Sequence, residues 1–155
     1  MKKSIWYCII LLFSAFTCRE STEFVPSDRL MLVKTGTSFG MCVGYCITEV
    51  EINPQKVTMY RKAWRSNIRD KTCERALVRQ EWENLGKTLD FAIFSQLPET
   101  IGCPDCADGG KEWIEITYGE QMKRVTFEFG KDIPQITGLI SQIRKIRESL
   151  NNCEE

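Results

Sequence analysis

The chain has 155 residues, 43% of them apolar and 27% charged, with 21 basic and 21 acidic side chains; this is the balance of one ordinary globular domain and excludes a disordered polymer or a strongly nucleic-acid-binding surface. Histidine is absent, which removes Ser/His/Asp and Cys/His nucleophile pairs and most catalytic zinc sites. Eight cysteines are many for this length and point to disulfides, a metal site or reactive thiols, according to the redox compartment.

Residues 1–17 read as a signal peptide. Lys2 and Lys3 give a basic start, an apolar run follows with Leu11, Leu12 and Phe13 at its centre, and Ser14 and Ala15 are the small residues near its end. The run is about 12 residues long, whereas a helix needs ~20 to cross a bilayer, so a retained transmembrane anchor is disfavoured. Ala15-Phe16-Thr17-Cys18 resembles a bacterial lipobox, which predicts a lipid on Cys18 as the new N-terminus. Thr17 and Phe16 depart from the usual small residues, so cleavage to a plain secreted form is the alternative. Residues 18–28, polar and ending in Pro26, Ser27 and Asp28, read as a short tether that clears the headgroups. Without the leader the charge is roughly minus two.

Residues 29–153 read as a single domain. The run 29–34 (RLMLVK) predicts a first strand, closed by the turn chemistry of Gly36 and Gly40. Residues 42–52 and 57–64, separated by Asn53-Pro54, predict a hairpin. Residues 65–76, charged and irregular, read as a loop carrying Cys73. From Gln80 the period changes: Trp82, Leu85, Leu89, Ile93 and Leu97 mark one helical face, with a break near Asp90 and Pro98 as the stop. After the loop 101–110, Ile114, Ile116 and Tyr118 alternate with polar residues, as do Val125, Phe127 and Phe129, which predicts two strands joined at Gly119-Glu120. The stripe Ile136, Leu139, Ile140, Ile143, Ile146 and Leu150 predicts a final helix, with Arg144, Lys145 and Arg147 toward its C-terminal end. The expected fold class is therefore α+β: a mainly antiparallel sheet of about five strands, order βββαββα, with two helices packed on one face.

Two cysteine loops stand out, Cys42-Val43-Gly44-Tyr45-Cys46 and Cys103-Pro104-Asp105-Cys106. If Cys42 and Cys46 both lie in a strand they are ~13 Å apart and each needs a partner elsewhere. Three readings are open. In the first, Cys42, Cys46, Cys73, Cys103, Cys106 and Cys153 form up to three disulfides in an oxidising compartment. In the second, Cys42, Cys46, Cys103 and Cys106 make a structural zinc site, against which stands the need to keep four thiols reduced outside the cytoplasm. In the third, Cys103-Pro104-Asp105-Cys106 does redox work, against which stands its position before a strand rather than at a helix N-terminus. Asp105 and Asp108, with Glu112 nearby, read as a solvated acidic turn, the alternative being a site for a cation such as calcium, against which stands a spacing unlike that of an EF-hand loop. Trp64, Trp82 and Trp113 read as core or rim packing, and Arg61, Lys62, Arg65, Arg69 and Lys71 as a basic patch that is solvated or meets anionic groups.

The lipobox-like leader, the run Thr37-Ser38-Phe39-Gly40-Met41-Cys42-Val43-Gly44-Tyr45-Cys46, the loop from Gly102 to Gly110 followed by Glu112-Trp113-Ile114-Glu115-Ile116, and Val125-Thr126-Phe127-Glu128 together resemble uncharacterised short bacterial exported lipoproteins. The chain also resembles a broader family of domains of unknown function with a Gly-x-Cys near the second strand, whose pattern Cys42 and Tyr45 match, while Val43 stands where a proline is usual. The resemblance implies fold and location and carries no chemistry. The sequence thus predicts a domain held at the cell envelope, on the periplasmic side or at the outer membrane. Its expected partners are the membrane, through the lipid, and an envelope protein, with no nucleic acid and no cofactor. With no catalytic constellation visible, a binding or structural role is expected rather than an enzymatic one. The rival is a thiol or zinc protein using the two cysteine pairs.

Overall fold

The computed structural model describes residues 29–151; the expected leader, the tether with Cys18, and Cys153 lie outside them. The elements run β1 (Leu30–Ser38), β2 (Gly44–Ile52), β3 (Lys56–Trp64), β4 (Lys71–Ala76), α1 (Arg79–Thr88), α2 (Phe91–Gln96), β5 (Thr100–Ile101), β6 (Lys111–Tyr118), β7 (Gln121–Glu128) and α3 (Thr137–Glu148). They build one seven-stranded sheet in the order β4-β3-β2-β1-β6-β7-β5. Every neighbouring pair is antiparallel except the short β5, which runs parallel to β7 through Thr100↔Thr126 and Ile101↔Phe127.

The α+β class and the single helix-covered face agree with the sequence expectation, and the element count is corrected. Residues 71–76, expected as loop, are the edge strand β4, pairing Cys73 with Met59 and Lys71 with Arg61. The extra β5 completes seven strands instead of five. The helix expected from Gln80 is two helices, because Asp90 ends one and caps the next: its carboxylate accepts from the Ile93 amide at 3.1 Å. At the start of α1, Glu81 accepts from the Val78 amide at 3.1 Å and from both Arg75 amino groups at 2.8 Å, tying the helix to β4.

Side-chain alternation along each strand gives the sheet two different faces. Val33, Val50, Ile52, Val57, Met59, Cys73, Ile114, Ile116, Val125 and Phe127 join one buried cluster with Leu85, Phe94, Leu139, Ile140 and Ile143 of the helices. Each such side chain contributes about 1.5–3 kcal/mol of transfer free energy. The other face carries no helix among the described residues. There Lys34 pairs with Glu51 at 3.2 Å, Lys62 with Glu49 at 2.6 Å, and Arg124 with Glu115 at 3.8 Å. Trp113 is buried on that face because its ring lies over Gly36, where a Cβ would overlap the indole, and the Arg124 guanidinium covers it 4.8 Å from the ring centre.

The register also defines the two ends. Leu30 lies beside Tyr118 and Ser38 beside Lys111, so β1 carries the chain from the end of the β6–β7 turn to the end where residues 39–43, 65–70 and 102–110 gather.

Candidate functional site

Both cysteine loops lie at that second end, against each other. β1 stops at Ser38, and the Phe39 amide donates to the Cys46 carbonyl at 3.1 Å. Between them the chain turns through Gly44 at φ +102°, a conformation that suits a residue without Cβ. The turn brings the Cα atoms of Cys42 and Cys46 to 5.6 Å, and the two are joined in a disulfide. This corrects the expectation that a strand holds them ~13 Å apart: β2 starts at Gly44, so Cys42 is in the turn.

The second loop is held from several sides. Gly102 adopts φ +72°, and the Cys103 amide donates to the Glu128 carboxylate at 2.9 Å. The Cys106 amide donates to the Cys103 carbonyl at 3.1 Å and the Asp105 amide to the Gly110 carbonyl at 3.0 Å. Asp105, Ala107 and Asp108 all have positive φ. The Cys103–Cys106 disulfide, with Cα atoms 5.5 Å apart, closes the tight turn that these dihedrals define. The loops meet where Phe39 packs edge-on to Phe129, with 4.8 Å between ring centres, and where the Asp105 carboxylate faces Gly40.

Beneath them is the least accessible charge of the described residues. Glu112 is 1% exposed. It receives the Arg144 Nη2 and the Arg147 Nη1 at 2.8 Å each, and Arg144 also binds Asp132 at 2.8 Å and the Lys131 carbonyl at 2.7 Å. Burial pushes the Glu112 carboxyl up, but the Arg144 hydrogen bonds and the Arg147 charge outweigh it and hold the group below its ordinary value. Glu112 therefore belongs to an ion network between β6 and α3 and not to the acidic turn of Asp105 and Asp108.

Of the sequence-predicted cysteines, Cys42, Cys46, Cys103 and Cys106 come to one end of the sheet, bonded within each loop rather than between loops. Cys73 is distant from them on β4 and is also disulfide-bonded, with a partner outside the described residues. Sulfurs bonded in pairs offer no thiolate, and among the described residues no group of three or more Cys, Asp or Glu is placed to hold a metal ion. Cys103 and Cys106 are exposed, but their neighbours Asp105, Asp108 and Glu128 are acidic, which disfavours a thiolate there.

Sequence reasoning missed how apolar this end is. Trp64, read as core or rim packing, is half exposed, unlike the buried Trp82 and Trp113. The available signal was an aromatic and Ile68 inside an otherwise charged stretch. Two concavities lie elsewhere: a cleft of about 1100 Å³ between Phe91, Ser95, Tyr118 and Gln121, and one of about 420 Å³ on the ion-paired sheet face. No protein-family model and no curated protein sequence matches this chain.

Proposed function

We propose that this protein is an exported domain tethered at the cell envelope by a lipid on Cys18, and that it acts by binding rather than by chemistry. The observation that carries the reading is the state of the sulfurs: all five cysteines among the described residues are in disulfides. Such bonds persist in oxidising compartments and are rare in the cytosol. That agrees with a basic and apolar leader over residues 1–17 followed by Cys18. The ion network of Glu112 is built for stability, since each of its charges is compensated, and it faces α3 rather than a cleft.

The test is fractionation with intact mass measurement on the full chain. The wild-type protein is expected in the membrane fraction with a lipid-sized mass increment that maps to Cys18, and Cys18→Ser is expected in the soluble fraction. Membrane association of Cys18→Ser, or an unmodified mature N-terminus, overturns the anchor.

A further inference from the structure

The two loop disulfides differ in where their sulfurs lie. Cys46 is buried and Cys42 half-buried, and Cys73, which is also bonded, is buried in the sheet. Cys103 and Cys106 are the only exposed cysteines among the described residues. They stand at the rim of a concavity of about 260 Å³ that reaches Phe129 and Lys131. It gives an incoming thiolate a place to approach and one cation to offset the carboxylates around it. Exposed disulfides are the ones that exchange, whereas a buried sulfur is screened from attack.

The loop that this bond closes is held by little else. No side chain between Gly102 and Gly110 belongs to the buried cluster. Asp105, Ala107 and Asp108 have φ of +65°, +50° and +58°, a region that is unfavourable for any residue with a Cβ. Besides the disulfide, backbone bonds keep them there: the Cys106 amide to the Cys103 carbonyl and the Gly109 amide to the Cys106 carbonyl, both at 3.1 Å, and the Asp105 amide to the Gly110 carbonyl at 3.0 Å. Once Cys103 and Cys106 are free to part, the dihedrals relax to ordinary values and these bonds open. The loop also bears on its neighbour, because the Phe39 ring lies against Gly110 and the Asp105 carboxylate faces Gly40. Its relaxation therefore changes the face that the two loops present together.

We propose that Cys103–Cys106 is a reversible redox site that switches the shape of this end of the domain, with a protein dithiol of the thioredoxin type as electron donor. A donor thiolate attacks one of the two sulfurs, the Cys103–Cys106 bond breaks, a mixed disulfide forms, and the leaving sulfur takes up a proton. The donor's second thiolate then attacks the mixed disulfide and releases the other sulfur, which is protonated in turn. The donor departs as a disulfide, two electrons poorer, and the loop holds two thiols. Asp105, Asp108 and Glu128 disfavour the thiolate form, so the reduced loop keeps its protons and re-forms its bond only when an oxidant is supplied. Cys42–Cys46 keeps the first loop closed throughout, and the switch is the same whether or not Cys18 carries a lipid.

The test uses the purified full chain, equilibrated with glutathione disulfide and then held folded in graded ratios of reduced to oxidised dithiothreitol, with alkylation and peptide mapping at each ratio. Cys103 and Cys106 should be half-labelled at a ratio at least about tenfold lower than Cys42 and Cys46. At that ratio amide exchange over residues 105–109 should rise at least about tenfold while the sheet amides stay protected, and glutathione disulfide should restore both readings. A reduced thioredoxin-type protein in place of dithiothreitol should label the same two cysteines. Cys103→Ser combined with Cys106→Ser should show the fast exchange without reductant and ignore its addition. Labelling of Cys42 and Cys46 at the same or a lower ratio, opening of the bond without faster exchange, failure to re-close, or no labelling by the protein dithiol overturns the proposal.

Discussion

Replacing Glu112 by Gln keeps the shape of the side chain and removes the only charge that Arg147 pairs with among the described residues. At a charge separation of about 4 Å and an effective dielectric of about 20, each guanidinium attracts the carboxylate by about 4 kcal/mol, so the gross loss is about 8 kcal/mol. The several kcal/mol spent on burying the carboxylate is recovered in the variant. Arg144 stays compensated by Asp132 and the Lys131 carbonyl. The expected net loss is about 3 kcal/mol, or roughly 10–15 °C in melting temperature for a domain of this size. The pH dependence is a second readout. A folded pKa held below the ordinary value of 4.5 makes the Glu112 contribution fully present above that value and progressively lost as pH falls from there through the folded pKa. Urea unfolding followed by tryptophan fluorescence should therefore find wild type and Glu112→Gln far apart at neutral pH and converging in acid. A difference under about 0.5 kcal/mol at neutral pH, or one that does not change with pH, refutes the reasoning.

Gly36→Ala should cost about 3 kcal/mol or more, because the new Cβ would overlap the Trp113 ring and approach the Thr48 carbonyl oxygen to 2.6 Å; thermal unfolding checks it, and an unchanged melt contradicts the packing described for the open face. The bonded Cys73 is expected to pair with Cys153, since α3 delivers Ser149 to Arg75 at 2.8 Å and Asn151 to Arg61 at 3.2 Å, on either side of Cys73. Two residues beyond Asn151 reach about 7 Å. Peptide mapping without reduction should recover that linked pair, and Cys73 linked to Cys8 or Cys18 instead would refute it. Closing a loop of about 80 residues is worth roughly 4–5 kcal/mol in the chain-entropy account, so Cys73→Ser should be the most destabilising single cysteine replacement among those described.

The elements legible in the sequence are those whose period the local chain sets. The stripe from Ile136 to Leu150 repeats at helical spacing and builds α3 as expected, and the alternation in β6 and β7 puts Ile114, Ile116, Val125 and Phe127 on the helix-covered face, although Trp113 is buried on the other face and Phe129 lies exposed beyond β7. β4 was illegible because an edge strand with one buried side chain, Cys73, among five that are exposed or half-buried has no apolar alternation to read. β5 has two residues and exists only because β7 offers an unpaired edge. At the candidate site, Cys42, Cys46, Cys103 and Cys106 were identifiable as a group, but not their pairing, since that depends on a turn through Gly44 and on the positive φ values around Asp105.

By itself the sequence determined the α+β class, the helical stripe that covers one face, the absence of histidine chemistry and the cysteines available for cross-linking. These follow from composition and from periods of a few residues, which local backbone geometry converts directly into buried faces. Only the tertiary structure decided that each cysteine loop closes on itself, that Glu112 is enclosed by two arginines from a helix 32 and 35 residues away, and that Met41 and Val43 of one turn and Trp64 and Ile68 of the next are left exposed at the end of the sheet away from Leu30. Those are properties of strand register and helix placement, and register is settled by the sum of contacts across the whole sheet rather than by any segment in it.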